Sequence, residues 1–155
     1  MPLVCHGRSL ARRLETRRLP ALDLLELFAF VRPARFCVPT PRGLAEALLL
    51  PIPGTLEAEA ASLFASARAL LGELTASPGP DAESVAWAMA DAHWPWATAV
   101  LSALASTQHP GRDAAAGLKV WRRLREWEDA PVEAALDIVR KTGLRVEDIA
   151  AVAVH

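Results

Sequence analysis

Leu56, Ala60, Leu63, Ala67, Leu70 and Leu74 recur at alternating spacings of four and three. That rhythm follows the 3.6-residue turn, so it predicts one long amphipathic helix with these side chains on its core-facing side. Thr55 stands where an N-cap is needed, and Glu57 and Glu59 fall in the first turn, where carboxylates suit the helix dipole. Ser77-Pro78-Gly79-Pro80 ends the run and marks a hinge or sub-domain boundary. A stripe of this length needs apolar partners, and the chain carries them on both sides.

The densest run of large apolar side chains is Pro20–Leu50, PALDLLELFAFVRPARFCVPTPRGLAEALLL. A helix is expected from Leu22 to Val31, apolar on nearly every face and therefore buried by neighbours, with Pro33 as its stop. Phe36-Cys37-Val38 reads as a short extended piece. Thr40-Pro41 then supplies an N-cap and a proline at the first helical position, and Leu44, Ala47 and Leu48 form one face before Pro51, Pro53 and Gly54 break the helix. Ahead of this stretch lie a short strand at Pro2–Cys5 and a helical piece from about Ser9 to Arg18.

Beyond the break, Ala82–Ala92 aligns Val85, Met89 and Ala92, and a further helix carries Ala97, Val100, Leu101 and Leu104. His109-Pro110-Gly111 turns the chain. Leu118, Trp121 and Leu124 form the apolar side of the next helix, Val132, Ala135, Leu136 and Val139 of another, and Val146, Ile149, Ala150 and Ala153 of a last short one. The expected fold class is mainly α: a compact multi-helix domain with one or two short strands near the N-terminus. Three regions are expected: 1–76, a helical extension over 81–129, and a helical hairpin over 130–155.

A chain of 155 residues buries enough surface to need no disulfide or metal staple. Its 52% apolar against 23% charged residues argue against disorder. No run approaches the roughly 18 apolar residues of a membrane span, and the N-terminus lacks a secretory h-region. Cys5 and Cys37 show no pairing pattern, which fits a reducing, cytoplasmic setting. Alanine fills about a fifth of the chain, Asn and Tyr are absent and Lys occurs only at 119 and 141, a bias that points to a GC-rich bacterial genome.

The net charge of −1 conceals an uneven layout. Residues 1–42 carry eight Arg against Glu15, Asp23 and Glu26, whereas residues 43–111 carry only Arg68 against seven acids. Arg8, Arg12, Arg13, Arg17 and Arg18, with Arg122, Arg123 and Arg125, are the candidate contacts to a phosphate backbone. The plainer reading of such clusters is a solvated face.

The chemistry of the chain is defined largely by what it lacks. GxxxxGK[ST] is absent, so the chain alone is not expected to hydrolyse ATP. No metal-ligand spacing occurs; the nearest approach, Cys5-His6, places two adjacent residues that cannot both reach one ion unaided. No catalytic residue, metal or cofactor is therefore assigned. Cys37 with His6, His93 or His109 could form a nucleophile and base, but its apolar neighbours favour a small core residue. Asp23 and Glu26, i,i+3 on a helix face, read either as paired carboxylates or as the polar edge of a buried helix, the second being favoured. The five Trp are read as core in preference to base-stacking platforms. Val139, Gly143 and Ile149 fit helix-turn-helix spacing, yet Glu147 and Asp148 stand where groove-reading cations belong, so an αα-hairpin is preferred.

Pro20–Leu50, with VAWAMADAHWPWATAVLSAL (Val85–Leu104) and GLKVWRRLREWED (Gly117–Asp129), resembles the N-terminal accessory region of alphaproteobacterial DinG-like ATP-dependent DNA helicases. The resemblance covers most of residues 3–129. That region is in turn similar to the later half of DnaQ-like proofreading exonuclease domains, in which V-x-H-N-x-x-F-D precedes a helix beginning P-x-x-D-T. Val4-Cys5-His6 and Pro20-Ala21-Leu22-Asp23 stand at comparable places. No Asp follows His6 at the metal-ligand position, the D-x-E strand is missing, and Glu57–Ser66 holds neither the family's His nor its last Asp. A two-metal nuclease needs those carboxylates. The resemblance thus implies an inactive exonuclease-like scaffold: a non-catalytic accessory domain that helps bind DNA or packs on the helicase motor. The rival from another class is a small α-helical module that dimerises or docks a protein, with no nucleic-acid role.

Overall fold

Leu22 and Asp23 are extended rather than helical. They form β2 (Leu22–Asp23), which pairs in parallel with β1 (Leu3–Val4) in the register Leu3↔Leu22 and Val4↔Asp23. Parallel strands need a crossover, and α1 (Gly7–Arg13) supplies it. The computed structural model describes residues 1–17 and 19–109. In it the helix expected from Leu22 begins instead at Leu24, as α2 (Leu24–Val31), with Asp23 as its N-cap. The reason is that the Asp23 carboxylate accepts from the Leu25 N–H at 2.9 Å, which fixes Asp23 outside the helix. Likewise α1 is shorter than the expected Ser9–Arg18. Glu15 adopts φ 53°, and the bonds Glu15 N–H to Arg12 O and Thr16 N–H to Ala11 O close the helix there.

The later elements are α3 (Pro41–Ala47), α4 (Leu56–Ala76), α5 (Ala82–Asp91) and α6 (Ala97–Ala103). Thr40 and Thr55 cap α3 and α4 as their sequences predict, accepting from the Gly43 and Ala58 N–H groups at 3.0 and 3.2 Å. The described residues are thus mainly helical, with one two-stranded parallel sheet near the N-terminus, as expected. None of their helices is long and apolar enough to cross a membrane. The segment Phe36-Cys37-Val38 forms no strand, and Phe36 is 83% exposed.

α4 is the axis of the assembly: α2, α3, α6 and β1 all pack against it. The core joins Leu24, Leu27 and Phe28 of α2 to Leu44 and Leu48 at α3, Leu70 and Leu74 of α4, and Val100 and Leu101 of α6. Arg32 ties three helices at their polar ends. Its guanidinium donates to both Glu73 carboxylate oxygens (2.8–3.0 Å) and to Ala47 O (2.7 Å), a forked geometry that a lysine could not reproduce. Across the Ser77–Pro80 break, Thr75 Oγ1 donates to Ala103 O at 3.1 Å and α6 folds back onto α4.

Four of the six members of the α4 stripe pack as its spacing predicts, Leu63 and Ala67 half-buried against the core and Leu70 and Leu74 within it; the first two do not. Leu70 and Leu74 are buried, but at the N-terminal end Ser62 and Ser66 face inward while Leu56 is 80% exposed and Ala60 lies in solvent. Ser66 Oγ is fully buried with no hydrogen-bond partner among the described residues. Ser66→Ala is therefore expected to raise stability by about 1 kcal/mol, because it deletes an unsatisfied hydroxyl at almost constant volume and improves helix propensity. Urea denaturation reads this directly; a lower midpoint would mean that the hydroxyl has a partner.

Candidate nucleic-acid interface

α1 is a short basic ridge. Arg8 and Arg12 lie one turn apart on one side, and Arg13 is rotated from Arg12 by roughly 100°. After Arg13 the chain doubles back toward β2, bringing Thr16 and Arg17 alongside the helix. The result is a cleft of about 540 Å³ lined by Arg8, Arg12 and Arg17 together with Asp23, Glu26 and Pro95. All three arginines are exposed, and none forms an ion pair with a described residue.

Arg13 belongs elsewhere. With Arg12 and His6 it borders a second cleft of about 800 Å³ on the other flank of α1, whose walls are chiefly apolar: Leu3, Leu10, Leu63, Pro39 and Pro41. Of the eight arginines singled out by charge, the structure thus gathers Arg8, Arg12 and Arg17 around one cleft and places Arg13 on the next. Arg18, Arg122, Arg123 and Arg125 lie outside the described residues, as do the helices and hairpin expected beyond Pro110.

The two acids of the first cleft are already engaged. Asp23 is 8% exposed; its Oδ2 accepts from the Gly7 N–H at 2.6 Å and its Oδ1 from the Leu25 N–H, while its carbonyl accepts from Trp96 Nε1 at 2.7 Å. One residue therefore joins the start of α1, the start of α2 and the start of α6. Gly7 leaves room for this: a Cβ there would stand 3.1 Å from Asp23 Oδ2. Glu26 is exposed and accepts from Trp94 Nε1 at 3.0 Å. The expectation that Asp23 and Glu26 share a helix face is corrected, since Asp23 precedes the helix and its carboxylate serves backbone donors. Among the described residues no three His, Cys, Asp or Glu side chains gather into a group able to hold a metal ion.

Cys5 and Cys37 carry raised thiol pKa values. Burial pushes Cys5 up to about 12, with the charges of Asp23 and Cys37 adding to the effect, and burial raises Cys37. Thiols so protonated are poor nucleophiles at neutral pH. Among the described residues no hydrogen bond joins Cys37 to His6, His93 or His109; His6 Nδ1 pairs instead with Ser9 Oγ at 2.9 Å. Cys37 is half-buried against the core, although its neighbour Phe36, expected to help bury it, points into solvent.

The tryptophans that fall in the described residues are anchored internally. Trp87 Nε1 donates to Ser106 Oγ at 2.9 Å, Trp94 to Glu26 and Trp96 to Asp23 O, so these three serve packing. Trp121 and Trp127 lie outside the described residues. Part of the arginine cleft's lining escaped the sequence reading. Glu26 and Pro95 are distant in the chain, and no local spacing signals that they meet.

No protein-family model, no curated protein and no solved structure matches this chain.

Proposed function

We propose that this chain is a non-catalytic accessory domain of a bacterial, cytoplasmic DNA helicase, and that it contacts DNA through the cleft beside α1. One observation carries the reading: Arg8, Arg12 and Arg17 converge on a single cleft, exposed and without ion-pair partners among the described residues. Three guanidiniums outnumber the two carboxylates in the same lining, whose oxygens are already taken up by backbone and indole N–H donors, and this excess of cations suits the closely spaced charges of a phosphate backbone. The likeness of Pro20–Leu50 to helicase accessory regions supplies the context, and the motor domain would be its covalent or docked neighbour.

Sequence-independent phosphate contacts predict a strong salt dependence, with a slope of about −0.7 in log K per contact on single strands. In fluorescence anisotropy with a labelled oligothymidine, the combined Arg8→Ala, Arg12→Ala, Arg17→Ala protein is expected to bind at least about tenfold more weakly. Its salt slope should be shallower by about 2, one increment per lost contact. Absence of binding at low salt, or affinity untouched by the three substitutions, would count against the DNA role.

A further inference from the structure

The second cleft and the uncovered end of α4 form one continuous feature. Leu63 lies in the wall of the cleft and also belongs to the α4 stripe whose N-terminal members, Leu56 and Ala60, are exposed; the adjacent Phe64 is 64% exposed as well. Apolar side chains left uncovered along a helix and running into a cleft mark an interaction surface rather than scattered surface hydrophobicity. The volume of about 800 Å³ is near the top of the range of roughly 300–1,000 Å³ in which proteins hold ligands.

The charge of its border decides what fits. Arg12, Arg13 and His6 border the cleft, and no Asp or Glu is among its described lining residues. Arg13 is exposed and has no hydrogen-bonding or ion-pairing partner among the described residues. A nucleic-acid strand would satisfy the cations but leave the apolar walls facing sugar and phosphate. Apart from His6, no aromatic ring lines the cleft to stack a base.

We propose that this groove docks an amphipathic protein segment that pairs leucine-like side chains with carboxylates, the apolar residues entering between Leu10 and Leu63 and the carboxylates meeting Arg13 and Arg12. This is helix-in-groove recognition with an electrostatic edge. It is separable from the DNA reading: Arg12 lines both clefts, but Arg13, Leu10 and Leu63 line only this one.

Three synthetic peptides of equal length test it on the full chain: an amphipathic leucine–glutamate helix, its leucine–lysine counterpart, and a serine–glutamate control without the apolar face. The leucine–glutamate peptide is expected to bind at least tenfold more tightly than either control and to shift the methyl resonances of Leu10 and Leu63. Arg13→Ala should weaken it about fivefold while leaving oligothymidine affinity unchanged. Equal binding of the three peptides, or binding that moves neither methyl, overturns the proposal. So does a dimer in light scattering that the peptide fails to dissociate, which would give the groove to a second copy. Displacement of the peptide by oligothymidine in the Arg8→Ala, Arg17→Ala background also overturns it, assigning the groove to nucleic acid.

Discussion

Asp23→Ala is expected to lower the stability of the fold by about 3 kcal/mol. Two backbone N–H groups, those of Gly7 and Leu25, point at this carboxylate. Each hydrogen bond to a charged group contributes about 1.5–3 kcal/mol, and the loss of an N-cap costs about 1 kcal/mol. These terms overlap, since the Leu25 bond is the cap, so the total is set at the lower end of the roughly 3–6 kcal/mol that two such bonds would give. The site is 8% exposed, which leaves water little access to replace the lost acceptor. Asp23→Asn should cost roughly half as much. Its remaining oxygen can keep the Leu25 N–H, but its amide nitrogen then faces the Gly7 N–H donor to donor. Urea unfolding of both variants measures the differences. A carboxylate kept for catalysis would behave in the opposite way, its removal being neutral or stabilising, so an unchanged midpoint in Asp23→Ala would sink the structural role argued for it.

Which features were legible follows from the range over which each is encoded. Caps are local: Thr40 and Thr55 each needed only a neighbour three residues on, and both were readable. The start of α2 was not, because the parallel pair β1–β2 spans two residues per strand, too short for alternation to register. The end of one helix was hidden for a different reason. That is so for α1, where Glu15 takes a positive φ and is not the glycine that would announce a left-handed C′ position, whereas the end of α5 at Asp91 falls within one residue of the expected Ala92. The α4 stripe was misread at one end because periodicity names a face but not its depth. Ser62 and Ser66 are buried at that end, while Leu56 and Ala60, expected to face inward, are exposed. The same limit governs the site. The basic character of α1 is plain in the sequence, but that Arg12 lines both clefts while Arg8 and Arg17 line only the first and Arg13 only the second depends on the distant residues that complete them, Glu26 and Pro95 for one and Pro39, Pro41 and Leu63 for the other.

Gly43→Ala and Gly72→Ala make the same chemical change and are expected to act with opposite sign. Gly72 lies inside α4, and a Cβ there meets nothing within 4 Å. Replacing it removes backbone freedom from the unfolded chain and should stabilise by up to about 1 kcal/mol. Gly43 is also helical, in the first turn of α3, and the same gain is available in principle. Its added Cβ, however, would collide with the Val38 carbonyl oxygen and lie 2.5 Å from Val38 Cβ. Those are mainly backbone atoms with no rotamer to yield. Relief would have to come from moving the Val38–Thr40 turn, which is held by the Thr40 N–H to Val38 O bond at 2.7 Å and by the Thr40 cap on the Gly43 N–H. Overpacking of this kind costs about 1–3 kcal/mol, and loss of the cap adds about 1 kcal/mol, so the clash outweighs the propensity gain and Gly43→Ala should destabilise by about 2–3 kcal/mol net. Truncating Val38 to glycine should recover only part of this, because the carbonyl remains. Parallel urea titrations of the two alanine variants decide the matter: a Gly43→Ala protein as stable as the parent would mean that α3 enters the core along a path different from the one that now packs Leu44 and Leu48 against α4.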